Sequence, residues 1–413
     1  TDFEYGICGF QCGFLDDRIH HTRILENVLS FVGKMGTKRA NSDVKNHEKS
    51  KKAKILDFSA HPKRKIAIQF FYLGWEHDGL VQQPNTKNTV EHHLMEALLK
   101  TKIVEDWLKC DFSRCGRTDK GVSAFRQTAA FVARSTYPTD PNVFWDDSTP
   151  EDVRNSYKSK EEELPYIKML NGVLPKSIRV FAWAPVGQNF NARFDCNRRT
   201  YKYSFPKAGL NLEKMREAAQ LLIGEHDFSN FCQIDMNEKR LEQSYTRKVY
   251  DVTVEQVSTH SENVLQEIAR GNEEPSLVSD LLNLSKYPSR PHYTLSSDTP
   301  LCLFDCGYKT EDVEWKIHEP TMKSTVSGLQ KTWATYQTRS RMMENMIGEL
   351  TQMTSSSWDS EEDVTRGLHE FVQDRPIPTS YCKFEKRQMC ESLEVKKRKM
   401  LVKKEEKEKM NGN

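Results

Sequence analysis

The sequence predicts an α+β fold, because strand-like segments are mixed along the chain with helix-like segments. The two-residue period of a strand is clearest in Lys63–Gly74, and the helical period is clearest in Asn88–Val104. Hydrophobic residues make up 37% of the chain and charged residues 29%. We therefore expect a folded body that carries long polar segments.

The predicted body begins with a strand in which Ile66, Ile68 and Phe70 fall on one face. Further strands are predicted over Thr128–Ser135, Arg199–Phe205 and Lys248–Val257. Pro165–Val186 is predicted as a helix, a turn and a strand. Strands and helices that follow one another in this way are typical of an α+β body.

Two amphipathic helices are predicted in the body. In the first, Val90 and Leu94 share one face, and Thr89 is the expected N-cap. The second lies within Asn211–Phe231 and ends near Gly224, since glycine is a common residue just beyond the end of a helix.

The outer segments differ in composition from the body. Ile24–Val32 could form part of a helix, and Lys34–Lys54 is predicted to be a basic linker. That linker could touch nucleic acid or direct nuclear import, or it could be only a solvated tether. Thr139–Glu163 is acidic and is predicted to be a surface insertion. Val395–Met410 is rich in lysine and is either a helix with a basic face or a frayed tail.

Apolar residues recur at helical spacing beyond residue 315. We expect them to pack onto the body or onto each other rather than to bind a cofactor. They are Leu329, Trp333, Tyr336, Met343, Ile347 and Leu350.

Composition also excludes some classes of protein. No run of about 18 apolar residues is found, so no membrane-spanning helix is predicted. The ten cysteines are scattered and lack the C-x2-C doublets of a zinc site, so we expect reduced thiols and no metal.

The segment "FSRCGRTDKGVSAFRQ" (Phe112–Gln127) is the strongest candidate for a functional site. It holds one acid, Asp119, among several cations and between two glycines. Glycine allows a tight turn and the close approach of a ligand, and Arg117 should favour the ionised carboxylate. Such a carboxylate can be a nucleophile, a base or an electrostatic stabiliser, while the cations suit phosphates. The alternative is a salt-bridged turn with no role beyond rigidity.

The motif "CGRTDKGVSAF" is similar to the active-site motif of the TruA family of tRNA pseudouridine synthases, in its eukaryotic form. Two further blocks resemble that family, "LGWEHDGLVQQPNTKNTVEHHLMEAL" and "NGVLPKSIRVFAWAPVGQNFNARFDCNRRTYKYSF". Two more, "LIGEHDFSNFCQIDMN" and "PLCLFDCGY", resemble the branch that modifies uridines 38 and 39 beside the anticodon loop. The resemblance extends over residues 63–315.

The resemblance implies roles for particular residues. Asp119 matches the catalytic aspartate of the family, and Arg117 matches the arginine beside the flipped nucleotide. Tyr201 matches the tyrosine that stacks on the target base, and a base in a stem must leave the stack before its glycosidic bond can be reached.

Three other cations are candidates for RNA contact, and they are Lys120, Arg193 and Arg199. For Arg193 and Arg199 the alternative is that they brace the catalytic acid.

The implied reaction needs no metal and no cofactor. The implied fold has two α+β lobes, each with a mixed sheet, that meet at a basic central cleft. The implied partner is tRNA, and bacterial relatives form homodimers, although the sequence leaves the oligomeric state open. On this basis the chain divides into an N-terminal extension and linker (1–60), a catalytic lobe (61–188), a C-terminal lobe (189–316) and a helical, lysine-rich extension (317–413).

The C-terminal lobe departs from the family in one place. Family members follow the strand that matches Lys248–Val257 with a partner strand and a signature arginine, and neither is recognisable at 257–264. A missing internal strand would leave backbone groups of its neighbours unpaired. Either another segment fills the gap or the chain is an incomplete isoform.

Three readings of function follow from these observations. The chain is predicted to be a pseudouridine synthase for tRNA positions 38 and 39. One alternative is a non-catalytic tRNA-binding relative, and another is the eukaryotic branch with broader RNA targets, which "GEHDFSNFC" disfavours. The basic runs Lys51–Lys54 and Lys396–Lys404 favour the nucleus or the cytoplasm.

Overall fold

The computed structural model of the chain describes residues 5–13, 56–140, 142–206, 210–232, 234, 241, 244–255, 263–293, 296–354, 366–368, 370–371 and 380–411. The predicted helix Ile24–Val32 and the predicted linker Lys34–Lys54 lie outside these residues. No helix among the described residues is long and apolar enough to cross a bilayer.

Eleven strands form one mixed sheet. They are β1 (Tyr5–Gly13), β2 (Lys63–Tyr72), β3 (Ser113–Arg114), β4 (Ser123–Arg134), β5 (Val143–Phe144), β6 (Ile178–Pro185), β7 (Arg198–Pro206), β8 (Gly224–Asp227), β9 (Thr246–Glu255), β10 (Leu301–Gly307) and β11 (Lys316–Ile317). The main path runs β11-β6-β2-β4-β10-β7-β1-β9-β8, while β3 pairs with β4 and β5 with β2. Among the strand pairs of the described residues, only that of β10 with β4 is parallel, and it joins the strands of the two halves. The predicted α+β class is confirmed, but the two halves share one sheet instead of having one each.

Eight helices of at least six residues lie in the described part of the chain. They are α1 (Val90–Lys100), α2 (Glu151–Ser156), α3 (Tyr166–Asn171), α4 (Leu212–Gln220), α5 (Asn263–Ala269), α6 (Leu277–Leu282), α7 (Glu319–Thr354) and α8 (Leu393–Asn411). Helix α1 begins where the sequence predicts, because the Thr89 hydroxyl accepts a hydrogen bond from the His92 amide at 3.3 Å. Helix α4 ends at Gln220, and Gly224 takes a φ of +116° where β8 begins.

Two main cores hold the sheet between layers of helices. The first packs β2, β4 and β6 against α1 and α3, with Phe70, Leu94 and Ile178 at its centre. The second packs β7 and β9 against α4, α5 and α6, with Met215 and Ile268 fully buried. Strand β2 is buried almost throughout its length. Its alternating side chains therefore point to two covered faces of the sheet, and neither face is exposed to solvent.

Strand β1 fills the position that the sequence leaves open in the C-terminal half. It lies antiparallel between β7 and β9, with Phe10 opposite Tyr201 on one side and Val252 on the other. The backbone groups of β7 and β9 therefore find partners in the N-terminal residues. Sequence analysis did not predict a strand here, and it had allowed for another segment to fill the gap.

The C-terminal extension corrects one prediction. Five of the six apolar residues predicted to pack are exposed, Trp333 by 66% and Leu350 by 61%, whereas Leu329 is half-buried. Tyr336 makes an edge-on contact with Trp75 of the body. The basic segment Leu393–Asn411 is a helix, one of the two predicted alternatives.

Ion pairs of a buried arginine attach the acidic insertion, Thr139–Glu163, to the body. Arg64, on β2, forms ion pairs with Asp140 at 2.9 Å and with Glu163 at 3.0 Å, and its side chain is only 2% exposed. Lys63 forms a further ion pair with Asp146. The insertion is therefore anchored at both ends, although much of it lies on the surface as predicted.

Candidate active site

The loop that carries Asp119 connects β3 with β4 and is held at its stem by an extended backbone ladder. Ser113 and Arg114 pair with Ala130 and Ala129 of β4. The ladder then continues, because the Cys115 amide donates to the Thr128 carbonyl oxygen at 2.8 Å. Beyond Cys115 the two chains separate and the loop begins.

Where the backbone ladder ends, the side chain of Gln127 forms the next hydrogen bonds to the loop. Its Nε2 donates to the Gly116 carbonyl oxygen at 3.0 Å, and its Oε1 accepts from the Gly116 amide at 3.3 Å. Gln127 is completely buried. A side-chain amide thus forms the same pair of hydrogen bonds that an opposing residue in a strand would form.

The next turn of the loop is bound by Tyr72 of β2. The Tyr72 hydroxyl lies 2.6 Å from the Thr118 Oγ1 and also accepts from Gln127 Nε2 at 3.5 Å. Burial raises the pKa of Tyr72, so its phenol stays neutral. Asp119 follows Thr118 directly and is half-buried.

The segment 74–80 closes the other side of the loop at backbone distance. A Cβ on Gly79, whose φ is +93°, would lie 3.3 Å from the Asp119 carbonyl carbon. A Cβ on Gly74 would lie 2.0 Å from the Val122 carbonyl oxygen. The Leu80 amide donates to the Thr118 carbonyl oxygen at 3.1 Å. The loop is therefore enclosed by glycine backbone on the side away from Gln127.

A buried arginine and three thiols lie under the stem of the loop. Arg199 of β7 donates to the Cys115 carbonyl oxygen at 2.7 Å and to the Cys115 Sγ at 3.2 Å. Burial alone would raise the pKa of the Cys115 thiol, but hydrogen bonds from Cys196 and Cys306 and the charge of Arg199 hold it well below 9.0. The pKa of Cys196 rises to about 12, mainly through its bond to Cys115. The hydrogen bonds among the three thiols and the charge of Arg199 thus favour a shared thiolate centred on Cys115.

The surroundings of the loop are strongly positive. Burial lowers the pKa of Arg193, and the charges of Arg199, Arg117 and Arg114 lower it further. Four guanidinium groups that interact electrostatically in this way form a concentration of positive charge, which attracts phosphate.

The six residues singled out by sequence analysis lie on one strand and two loops. Arg117, Asp119 and Lys120 are in the loop between β3 and β4, Arg193 is in the loop between β6 and β7, and Arg199 and Tyr201 are on β7. Arg117 and Lys120 are exposed, and Lys120 forms an ion pair with Asp78 at 3.0 Å. Arg193 and Tyr201 are half-buried. Arg199 is only 3% exposed, so its burial fits the bracing alternative and does not fit a contact with RNA.

Tyr201 lies on β7 beside the loop stem. It is two residues beyond Arg199, hence on the same face of the strand, and it is paired with Leu303 of β10. A Cβ on Gly116 would touch both Arg199 and Leu303, at 3.6 and 3.8 Å. The loop stem therefore lies over the strand that carries Tyr201, while the catalytic and binding roles of these residues stay predictions.

Sequence analysis missed the residues that hold the loop. Gln127 and Tyr72 each fall in a predicted strand or at its edge, where a polar side chain on a buried face is the available signal. The Cys115, Cys196 and Cys306 cluster carries no signal, because its members are far apart along the chain. Within the described residues, no group of His, Cys, Asp and Glu is arranged to hold a metal ion.

Comparison with known proteins identifies the family. A family model described as tRNA pseudouridine synthase matches residues 218–309. The chain is 70% identical over 395 residues to a Caenorhabditis elegans protein named as a probable tRNA pseudouridine synthase, covering 90% of this chain and 98% of that protein. The chain belongs to the TruA family of tRNA pseudouridine synthases.

Other tRNA pseudouridine synthases match a smaller part of the chain. The human protein named tRNA pseudouridine(38/39) synthase is 36% identical over 324 residues, covering 72% of this chain and 66% of its own length. The Saccharomyces cerevisiae protein of the same name is 38% identical over 296 residues, covering 66% and 63%. The predicted membership of the TruA family is confirmed.

Proposed function

We propose that the chain converts uridine to pseudouridine at positions 38 and 39 of tRNA. Relatives from mammals and yeast carry the name tRNA pseudouridine(38/39) synthase. The observation that carries the proposal for this chain is the placement of Asp119. It stands half-buried in a loop fixed on both sides, two residues beyond Arg117, which with Arg114 and Arg199 acts on the charge of Arg193. The chain is therefore an isomerase that acts without a cofactor.

Asp119 is the group that acts on the substrate. In the reaction the C1′–N1 bond of uridine breaks, the uracil rotates, and a C5–C1′ bond forms. The positive surroundings keep the carboxylate ionised, and an ionised carboxylate can attack carbon or remove a proton. Because the loop is fixed by buried hydrogen bonds, the carboxylate is held in place before the substrate arrives.

Tyr201 and Arg117 hold the target nucleotide. An aromatic ring that stacks on an extruded base contributes roughly 1–3 kcal/mol, and Tyr201 lies on the strand beneath the loop stem. Arg117 is exposed and adjoins Asp119, so it can contact a flipped nucleotide. Arg193 and Lys120 extend the positive surface toward the flanking phosphates.

The halves of the sheet meet at a tRNA-binding cleft. They meet where β4 runs parallel to β10, and the Asp119 loop enters β4 at this junction. In this proposal residues 1–60 are an N-terminal extension, 61–188 and 189–316 are the two lobes, and 317–413 are a C-terminal extension.

Asp119→Asn tests this function in the full chain. With unmodified tRNA as substrate, the variant should form no pseudouridine at 38 or 39, because an amide is neither a base nor a nucleophile of comparable strength. Its affinity for tRNA should stay within about twofold of the unaltered chain. Asp251→Asn, on the exposed face of β9, is the control and should keep full activity. Pseudouridine formed by the Asp119→Asn variant would contradict the assignment.

The chain also forms a homodimer through α7 in this proposal. Residues of this helix follow a heptad pattern over more than four repeats. One set of positions holds Val326, Trp333, Ser340 and Ile347, and the other holds Met322, Leu329, Tyr336, Met343 and Leu350. Ile347 and Val326 in the first set and leucine in the second favour a parallel pair of helices. In that arrangement Arg339 of one copy faces Glu344 of the other.

Two neighbouring methionines test the dimer. Met343 lies in the heptad seam and Met342 lies beside it, and they are 58% and 55% exposed. Met343→Lys should shift the molar mass measured by sedimentation from dimer toward monomer, whereas Met342→Lys should leave the dimer intact. A monomeric unaltered chain, or an equal response of the two variants, would contradict the proposal.

The chain acts in the nucleus or the cytoplasm in this proposal. The cluster of lysines at Lys396–Lys404 lies on the exposed part of α8, where a receptor for nuclear import could reach it. A fluorescent fusion that entered another compartment would contradict this placement.

A further inference from the structure

We propose that Gln127 and Tyr72 are positioning residues that set the rate of the reaction by fixing the backbone on both sides of Arg117. This inference rests on the proposed function, because it concerns the placement of Asp119 during catalysis. Neither residue is expected to touch the substrate. Both are buried behind the loop, at 0% and 1% exposure.

The first contact that fixes the loop is the pair of hydrogen bonds between the Gln127 side-chain amide and the Gly116 backbone. Gln127 bonds both the amide and the carbonyl oxygen of Gly116, at 3.3 and 3.0 Å. Its Oε1 also accepts from the Thr128 amide at 3.2 Å, which fixes the side chain to its own strand. A primary amide offers two donors and one acceptor oxygen in one plane, so no aliphatic or charged side chain of similar size can make the same pair of bonds.

The second contact that fixes the loop is the hydrogen bond between the Tyr72 hydroxyl and the Thr118 side chain. The Tyr72 hydroxyl lies 2.6 Å from Thr118 Oγ1 and 3.5 Å from Gln127 Nε2. A single chain of hydrogen bonds therefore joins Gly116, Gln127, Tyr72 and Thr118. Because the Tyr72, Thr118 and Gln127 side chains are buried, each lost bond leaves a buried polar atom without its partner.

The placement of these bonds separates catalysis from binding. Gly116 and Thr118 flank Arg117 and precede Asp119. Greater backbone flexibility at either residue would therefore displace the Asp119 carboxylate. Cations other than Arg117 are held by other contacts, since Arg114 pairs with Glu91 at 2.9 Å and Lys120 pairs with Asp78 at 3.0 Å. Loosening the Gln127–Tyr72 chain should therefore lower the rate and leave the affinity for tRNA unchanged.

The chain offers a matched control for each variant. Tyr166 is as buried as Tyr72, and its hydroxyl donates to the Arg134 carbonyl oxygen at 2.8 Å in the same core. Gln69 is 7% exposed on the neighbouring strand β2, and within the described residues it forms no hydrogen bond to the loop. Tyr166→Phe and Gln69→Leu thus repeat the chemistry of Tyr72→Phe and Gln127→Leu away from Gly116 and Thr118.

The experiment measures single-turnover pseudouridine formation, tRNA affinity and thermal unfolding for the full chain and the four variants. Tyr72→Phe and Gln127→Leu should slow the single-turnover rate by about 10- to 100-fold, since displacements of about 1 Å at a reacting group have effects of that size. Their affinity for tRNA should stay within about twofold. Tyr166→Phe and Gln69→Leu should keep the rate of the unaltered chain.

Each result has a distinct meaning. A normal rate for Tyr72→Phe would overturn the positioning role, and so would an equal loss in Tyr166→Phe. If Gln127→Leu does not fold, Tyr72→Phe decides alone, because it removes one oxygen atom. Absence of product from the unaltered chain would overturn the proposed function and this inference with it, whereas normal rates in both loop variants would overturn only the inference.

Discussion

Arg199 donates hydrogen bonds to two atoms of Cys115, the carbonyl oxygen and the sulphur, at the stem of the Asp119 loop. The contact crosses the sheet from β7, in the C-terminal half, to the loop that leads into β4, in the N-terminal half. Although burial would lower the pKa of Arg199, the charge of Cys115 raises it well above its usual value. The guanidinium therefore stays charged inside the protein, and the sulphur contributes the compensating charge.

Cys115→Ser should change how stability depends on pH. The folded pKa of Cys115 lies well below 9.0, so its thiolate stabilises the fold above the unfolded pKa, and this contribution is lost as pH falls toward the folded value. The stability advantage of the unaltered chain over Cys115→Ser should therefore increase as pH rises from 6 to 8.5. Urea unfolding at several pH values measures this difference. Cys382→Ser, at an exposed thiol, is the control, and a pH-independent difference would contradict the shared thiolate.

Raised pKa values should reverse this trend in alkali. Cys196 and Cys306 are protonated in the fold beyond the pH at which unfolded thiols ionise. Their contribution is present below the unfolded pKa, near 9.0, and is lost above it. The unaltered chain should thus lose stability from about pH 9 upward, and a Cys196→Ala variant should lose less over the same range.

Gly74→Ala should disrupt the candidate site more than any other glycine-to-alanine change near it. A Cβ at this position would lie 2.0 Å from the Val122 carbonyl oxygen and 2.7 Å from that of Gly121, so backbone has to move. We expect a loss of activity of at least tenfold together with a lower melting temperature. Gly187→Ala is the control, because nothing lies within 4 Å of its added Cβ. Equal behaviour of the two variants would contradict the close packing of this segment on the loop.

Arg193→Ala should weaken tRNA binding with little dependence on the sequence of the tRNA. Loss of one phosphate contact should reduce the slope of log K against log salt by about 0.7 to 0.9. Filter binding between 50 and 300 mM salt measures that slope. Lys309→Ala is the control, because Lys309 is exposed and pairs with Glu311. An unchanged slope for Arg193→Ala would remove Arg193 from the RNA contacts.

Removal of residues 1–13 should destabilise the C-terminal half. Strand β1 pairs with nine residues of β7 and seven of β9, so its loss exposes two strand edges. Each buried backbone group left unpaired costs about 1–3 kcal/mol, against a total stability of about 5–15 kcal/mol. We expect a folded N-terminal half with an unfolded or aggregating C-terminal half by hydrogen exchange. Recovery of protection at β7 and β9 on adding a peptide of residues 1–13 would support strand replacement, and full stability of the truncated chain would contradict it.

Local pattern was sufficient for much of the fold. The N-cap at Thr89 and the strand around Ile68 were predicted because each depends on residues a few positions apart. The helix expected to end near Gly224 ends earlier, at Gln220, and Gly224 begins β8 instead of capping the helix. The Asp119 loop was found in the same way, from glycines and charges within one segment. The contacts that hold it were not found, since Tyr72, Gln127 and Arg199 are brought together only by the sheet.

Two larger features could not be inferred from pattern. The position of β1 depends on an unfilled place between strands about 190 and 240 residues further along the chain, and no local signal encodes such a pairing. The exposure of α7 was mispredicted because a heptad pattern specifies an apolar seam and does not specify what covers it. Trp333 and Leu350 fit a core position by spacing, yet they lie on the surface.

The position of β1 also orders events during synthesis. Tyr5–Gly13 leaves the ribosome long before Arg198–Pro206 and Thr246–Glu255, the strands with which it pairs. At about 5–20 residues per second, the first strand waits on the order of tens of seconds for its neighbours. During that time the N-terminal half can fold, while the strand and the half-built sheet remain open to other chains. Closing so long a loop is slow, so we expect β1 to join its neighbours late in folding.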